Sequence, residues 1–187
     1  MAIKNILRMG EPQLIEQSLP IEQDFPADEL QLLIKDMLDT MSANDGAGLA
    51  APQIGVLKRL VVFGMEETIE NGKSVSPRYP DTDFVPLTIL INPEIQPLDD
   101  NFIESWEGCL SIPGMRGLVP RHSKIRYKGY DQNWNIIDRE VEGFHAIVVQ
   151  HECDHLDGIL YPMRIPDMRY FGYEEALSKP GAEELEL

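Results

Sequence analysis

Two histidines four residues apart with a glutamate between them, His151-Glu152-Cys153-Asp154-His155, are the residues of this chain best suited to chemistry. On a helix, positions i and i+4 lie about 400° apart, so both imidazoles leave one face and can share a divalent ion. Glu152 lies roughly 100° further round. From there its carboxylate reaches a water on that ion without displacing a ligand. It can take the water's proton once the ion has lowered the water's pKa. Cys153, about 200° round from His151, points away from the ion and reads as a small packing hydrophobe. The chemistry is that of a metal-dependent amide hydrolase. The bland alternative is a chance spacing, which is uncommon in a chain with only 4 histidines.

Two imidazoles do not complete a catalytic site, and a third protein ligand is needed. One protease pattern continues with a glycine and a third histidine; Gly158 is in place, but Tyr161 stands where that histidine belongs. Another needs a glutamate on a following helix, for which Glu174 and Glu175 in an acidic tail are weak candidates. Cys109, in Glu107-Gly108-Cys109-Leu110-Ser111 at an irregular strand end, is the better ligand. A thiolate with two imidazoles leaves a fourth position open, which is a catalytic arrangement rather than a structural one. Alone, Cys109 would read as a buried core thiol.

The elements that must position these residues follow from periodicity. Apolar residues at spacings of three and four predict a helix over residues 27–41, stopped by Asn44-Asp45-Gly46. Short apolar strands are expected at residues 59–63 and 87–92, the second closed by Pro93. Residues 66–84 between them read as a surface loop or hairpin excursion. Partial alternation over residues 124–130 and 136–141 around Asp131-Gln132-Asn133 predicts a hairpin. A helix over residues 143–156, capped by Gly158, carries the two histidines. Residues 174–187 read as a frayed acidic tail. The expected fold is α+β, a single domain with mixed or antiparallel sheets around the metal-binding helix. The catalytic domain is assigned to residues 1–175 and a flexible acidic tail to 176–187.

The 187 residues carry 32 acidic and 16 basic side chains, a net charge of −16. Such a surface repels phosphate backbones, so specific nucleic-acid binding is not expected. No run approaches the roughly 20 apolar residues that span a bilayer. The first residues resemble neither a secretory leader nor a transit peptide, so a soluble cytoplasmic protein is expected. With 2 cysteines, no disulfide framework is expected.

Three segments together resemble the peptide deformylases. They are Gly46-Ala47-Gly48-Leu49-Ala50-Ala51-Pro52-Gln53, then Glu107-Gly108-Cys109-Leu110-Ser111, then Gln150-His151-Glu152-Cys153-Asp154-His155-Leu156-Asp157-Gly158. The resemblance runs from Arg8-Met9-Gly10-Glu11-Pro12 to about residue 175. It implies removal of the formyl group from the N-terminal methionine of new polypeptides, with release of formate. It implies Cys109, His151 and His155 as ligands of one divalent ion, natively Fe²⁺, with Zn²⁺, Ni²⁺ or Co²⁺ in purified protein. Glu152 would be the acid/base, and Gln53 with the Leu110 N–H would stabilise the oxyanion.

Gly46, Gly48 and Gly108 would admit the substrate backbone, as in an added strand. Ala47, Phe144, Ile147 and Val148, with Trp106 at the rim, would form the methionine pocket, and Arg116 would bind substrate carbonyls. Glu107 and Arg121 would pair to support the cysteine loop, and His145 would lie outside the metal's face. Residues 113–121 look like the subtype that includes organellar enzymes and secondary bacterial copies. The C-terminus lacks a long basic helix, so ribosome contact is expected to be transient at most. The competing readings are an H-E-x-x-H endopeptidase and a divergent, catalytically weak deformylase copy.

Overall fold

The computed structural model describes residues 3–65, 68–70, 73–75 and 84–177. Helix α1 spans Ala27–Ala43, with Asp28 and Glu29 in its first turn, where acidic groups complement the helix dipole. Leu30, Ile34, Met37 and Met41 form its buried stripe. Beyond the Asn44 cap the chain turns through Asp45, at φ 53°, into strand β1, Gly48–Ala50.

Strand β1 is the edge of a five-stranded antiparallel sheet ordered β1-β2-β5-β8-β9. The others are β2 (Leu60–Phe63), β5 (Thr88–Pro97), β8 (Lys124–Tyr130) and β9 (Ile136–Glu142). All four residues of β2 are buried because both of its faces are covered. Leu60 and Val62 pack in a cluster with Met37 and Met41 of α1. Val61 and Phe63 pack in a second cluster with Val149, Cys153 and Leu156 of α2, Gly143–Leu156. That double cover explains an apolar run where a one-sided strand would alternate.

A second antiparallel sheet, ordered β10-β7-β6, contains β6 (Phe102–Cys109), β7 (Ile112–His122) and β10 (Phe171–Tyr173). Helix α2 contacts both sheets, and ten of its residues are buried. A helix surrounded in this way has no solvent stripe. Its C-terminus is closed by Gly158 at φ 70°, where a Cβ would lie 2.6 Å from the Ile15 carbonyl. Gly158 is therefore required both by its left-handed backbone and by the chain packed against it.

Two expectations need correction. Pro93 does not close the second strand, since β5 continues to Pro97. Asn92 takes φ 49° and the register with β8 shifts between Ile91 and Glu94, so a bulge absorbs the proline, which has no N–H to lose. The cysteine motif is an irregular strand end as expected: β6 ends at Cys109 after a register shift from Glu107, and Cys109 closes a long hairpin in which Phe102 pairs with His122. Glu174 is not in a frayed tail. Residues Glu174–Leu177 form the helical turn α3.

Within the excursion, expected as a surface loop or a hairpin, β3 (Thr68–Glu70) pairs antiparallel with β4 (Lys73–Val75). The remaining excursion residues and tail residues 178–187 lie outside the described residues.

Candidate metal centre and cleft

The β6–β7 turn delivers Cys109, and one face of α2 delivers His151 and His155. Their ligand atoms all lie within 4.8 Å of one another. Cys109 Sγ is 3.3 Å from His155 Nε2. Among the described residues this is the one cluster of its kind. Tyr161 is no ligand: its ring stacks on His151, with centroids 6.1 Å apart. Glu174 does not reach the cluster, because its carboxylate pairs with Arg116 at 2.8 Å.

Glu107 fixes the tautomer of His151. A carboxylate only accepts, so at 2.7 Å a proton sits on Nδ1, which leaves Nε2 as the atom for a ligand role. The expected Glu107–Arg121 pair is present and bidentate, at 2.7 and 2.9 Å. Sequence reasoning missed its continuation. Arg121 Nη1 donates to Asp154 at 2.5 Å, and Arg164 donates to both Asp154 oxygens at 2.6 and 3.0 Å. Burial alone would raise the Glu107 carboxyl. Hydrogen bonds from Arg121 and His151 outweigh it and bring the pKa down to about 2.

Burial would also lower His151, yet Cys109 and Glu107 hold it well above the ordinary imidazole value. The thiolate–imidazole donor set suits a divalent cation.

Glu152 is buried, and its Oε2 has no hydrogen-bond partner within the protein. Burial pushes its carboxyl up to about 7 against the charge of His151, with Glu107 adding to the rise. Gly48 explains how the carboxylate fits. A Cβ added there would fall inside the Glu152 carboxylate. Gly48→Ala should therefore displace Glu152 and lower kcat/KM by about 10–100-fold at unchanged metal content. Kinetics with metal analysis checks this, and a fully active variant would refute it.

Gln53 follows β1 on a 3₁₀ turn, Ala51–Ile54. Its Oε1 accepts from the Ala50 N–H at 2.8 Å. Its Nε2 faces Cys109 Sγ at 3.4 Å and Ser111 Oγ at 3.2 Å. The amide donor thereby points to the metal side, next to Leu110.

A cleft of about 440 Å³ opens over this centre, lined by Gln53, Cys109, Leu110, His151 and Glu152. Gly46, Ala47 and Gly48 form part of its wall, and Trp106, Gly108 and Arg116 form another. Phe144, Ile147 and Val148 of α2 also line it. The sequence-predicted binding residues are thus brought together. Val148 doubles as core, and Phe144 packs against the same cluster. His155 lies deeper, 2% exposed. Cys153 is buried on the opposite side of α2, as expected. His145 lies outside the ligand cluster, as expected. It is half-buried against Phe63 and Tyr127, where burial lowers its pKa to about 4.

Residues 3–170 match the model of the family described as polypeptide deformylase. Peptide deformylase 1 of Nitrosomonas europaea is 57% identical over 175 residues, covering 94% of each chain. Peptide deformylase 2 of Ralstonia nicotianae is 54% identical, also with 94% of each covered. Among solved structures, the Met-Ala-Ser-bound class I type b peptide deformylase of Acinetobacter baumannii aligns with TM-score 0.79 at 32% identity, over 88% of this chain and 99% of that one. The Thermotoga maritima peptide deformylase aligns with TM-score 0.73 at 32% identity, over 89% and 100%. With these matches over nearly its whole length and a Cys–His–His centre at the floor of its cleft, this chain belongs to the polypeptide deformylases, metal-dependent hydrolases that take the formyl group from new polypeptides.

Proposed function

We propose that Cys109, His151 and His155 hold one divalent ion, natively Fe²⁺, and that Glu152, Gln53 and the Leu110 N–H carry out deformylation around it. The observation that carries this reading is the convergence of three ligand atoms beneath a cleft in which one buried carboxylate, Glu152, keeps an unpartnered oxygen. Bound there, the ion would supply Lewis acidity, lowering the pKa of a water and polarising a carbonyl. Glu152 takes the proton of the attacking water and returns it to the departing amine nitrogen, so formate and a free N-terminus are the products. Gln53 Nε2 and the Leu110 N–H donate to the oxygen on which charge develops.

The partners are formyl-methionyl N-termini of nascent chains. Strands β1 and β6 are both sheet edges bordering the cleft, which suits a substrate backbone lying between Gly46–Gly48 and Gly108. Ala47, Phe144, Ile147 and Val148 receive the methionine side chain, with Trp106 at the rim. Arg116 binds a substrate carbonyl from its place beside Glu174. We further place the enzyme in the bacterial cytoplasm, with residues 1–175 as the catalytic domain and at most transient ribosome contact. No helix among the described residues is long and apolar enough to cross a membrane. No observation favours the endopeptidase reading, and an intact Gln53, Glu152 and ligand set argues against a merely structural site.

The test is anaerobic purification, metal analysis and formate release from formyl-Met-Ala-Ser. Cys109→Ala should lose the ion, whereas Cys153→Ala, altered on the far side of α2, should keep it. Metal loss from Cys153→Ala alone would overturn the ligand assignment. Cleavage of internal peptide bonds without formate release would overturn the activity. Thiolate and Fe²⁺ both oxidise, so activity should decay in air.

A further inference from the structure

The two oxyanion donors belong to different sheets. Gln53 follows β1 of the five-stranded sheet, and Leu110 lies in the β6–β7 turn of the three-stranded one. Among the described residues no strand ladder joins those sheets, so the separation of the donors rests on the Gln53–Ser111 contact and on whatever else spans the gap.

The N-terminal segment reaches both. The Leu7 N–H donates to the Gln53 carbonyl at 2.8 Å, and the Met9 N–H donates to the Ser111 carbonyl at 2.9 Å. Between them, Arg8 Nη1 donates to the Leu110 carbonyl at 2.5 Å. The segment is held in shape by its own turn. The Arg8 N–H donates to Glu11 Oε1 at 2.8 Å and the Glu11 N–H to the Arg8 carbonyl at 3.0 Å, across Gly10 at φ 108°. It is pinned at both ends. Ile6 is buried in the cluster with α1, and Leu14 in the cluster with Ile112 and Val119 of β7.

We propose that residues 7–9 form a strap that fixes the spacing of the two oxyanion donors, with Arg8 as its positioning residue. This rests on the assignment of Gln53 and the Leu110 N–H as those donors. Donors act best when preorganised about 2.7–3.1 Å from the developing charge, so tenths of an ångström at the Leu110–Ser111 turn weaken transition-state stabilisation. The Arg8 guanidinium is exposed and lines the cleft mouth, but its bond is to main chain. Its loss should therefore act on kcat.

The experiment compares full-length Arg8→Met, Arg8→Lys and Gln53→Ala, each with metal content measured, on formyl-Met-Ala-Ser. Arg8→Met should lower kcat about 5–10-fold with KM within about twofold and metal content unchanged. Arg8→Lys should recover part of the loss. Hydrogen exchange at residues 108–112 should quicken in Arg8→Met, a readout independent of turnover. A rise in KM alone would make Arg8 a substrate contact and overturn the strap. If Gln53→Ala is crippled while Arg8→Met keeps full kcat and parental exchange, the strap fails and the donor assignment stands. If Gln53→Ala is fully active, the donor assignment fails and takes the strap with it.

Discussion

Glu152→Ala should release formate about 10²–10⁴-fold more slowly than the parent while keeping its metal. The size follows from the loss of positioned proton transfer. The retention of metal follows from geometry, since Glu152 is outside the ligand cluster. The variant should also be no less stable than the parent. A buried carboxylate with an unpartnered oxygen carries a desolvation cost, and its removal leaves no charge behind without a partner. Kinetics, metal analysis and a thermal melt on one preparation decide the matter. Parental turnover would remove Glu152 from the mechanism, and loss of the ion would make it a ligand.

The second large effect is expected at Glu107, whose carboxylate is engaged by Arg121 and His151. Glu107→Ala leaves Arg121, 3% exposed, with Asp154 as its remaining carboxylate in the network. Removing one partner of a buried ion pair costs about 3–5 kcal/mol. His151 loses the acceptor that fixes its tautomer, which should weaken metal binding about 10–100-fold.

Acid should do gradually what the substitution does outright. With its pKa depressed from 4.5 to about 2, Glu107 contributes stability that is complete above pH 4.5. That contribution drains as pH falls toward 2. Urea titrations at pH 7 and pH 3.5 should therefore show a smaller gap between parent and Glu107→Gln at the lower pH. A gap unchanged by pH, or Glu107→Ala with parental stability and metal affinity, would remove the network from this role.

The histidine helix, α1, the β8–β9 hairpin and Cys109 were legible because each is written in local spacing or in residue chemistry. The β6–β7 hairpin was not. Pro113, Gly114, Gly117 and Pro120 are punctuation that ordinarily breaks strands, and only the cross-strand register overrides them. Pro93 misled for the same reason, since a bulge is a tertiary accommodation. At the site, Glu107–Arg121 was foreseen but Asp154 and Arg164 were not. Asp154 lies within the histidine motif and drew no separate attention, and its partners come from strand β7 and from the 3₁₀ turn Tyr161–Arg164. The Arg8–Leu110 contact spans 102 residues and had no signal beyond the ends of a recognisable segment.

Helix α2, packed between the two sheets, also dictates when the centre can exist. Its neighbours include β1, β2, β7 and β9, gathered from nearly the whole preceding chain. Two of the proposed ligands ride on it, and the third waits at the tip of a hairpin 42 residues earlier (151 − 109). Contacts of such long sequence separation close late in folding. Metal capture, which draws its free energy from a completed donor set, must follow. An enzyme that works on chains still being made can load its own ion only after its own synthesis has passed that helix.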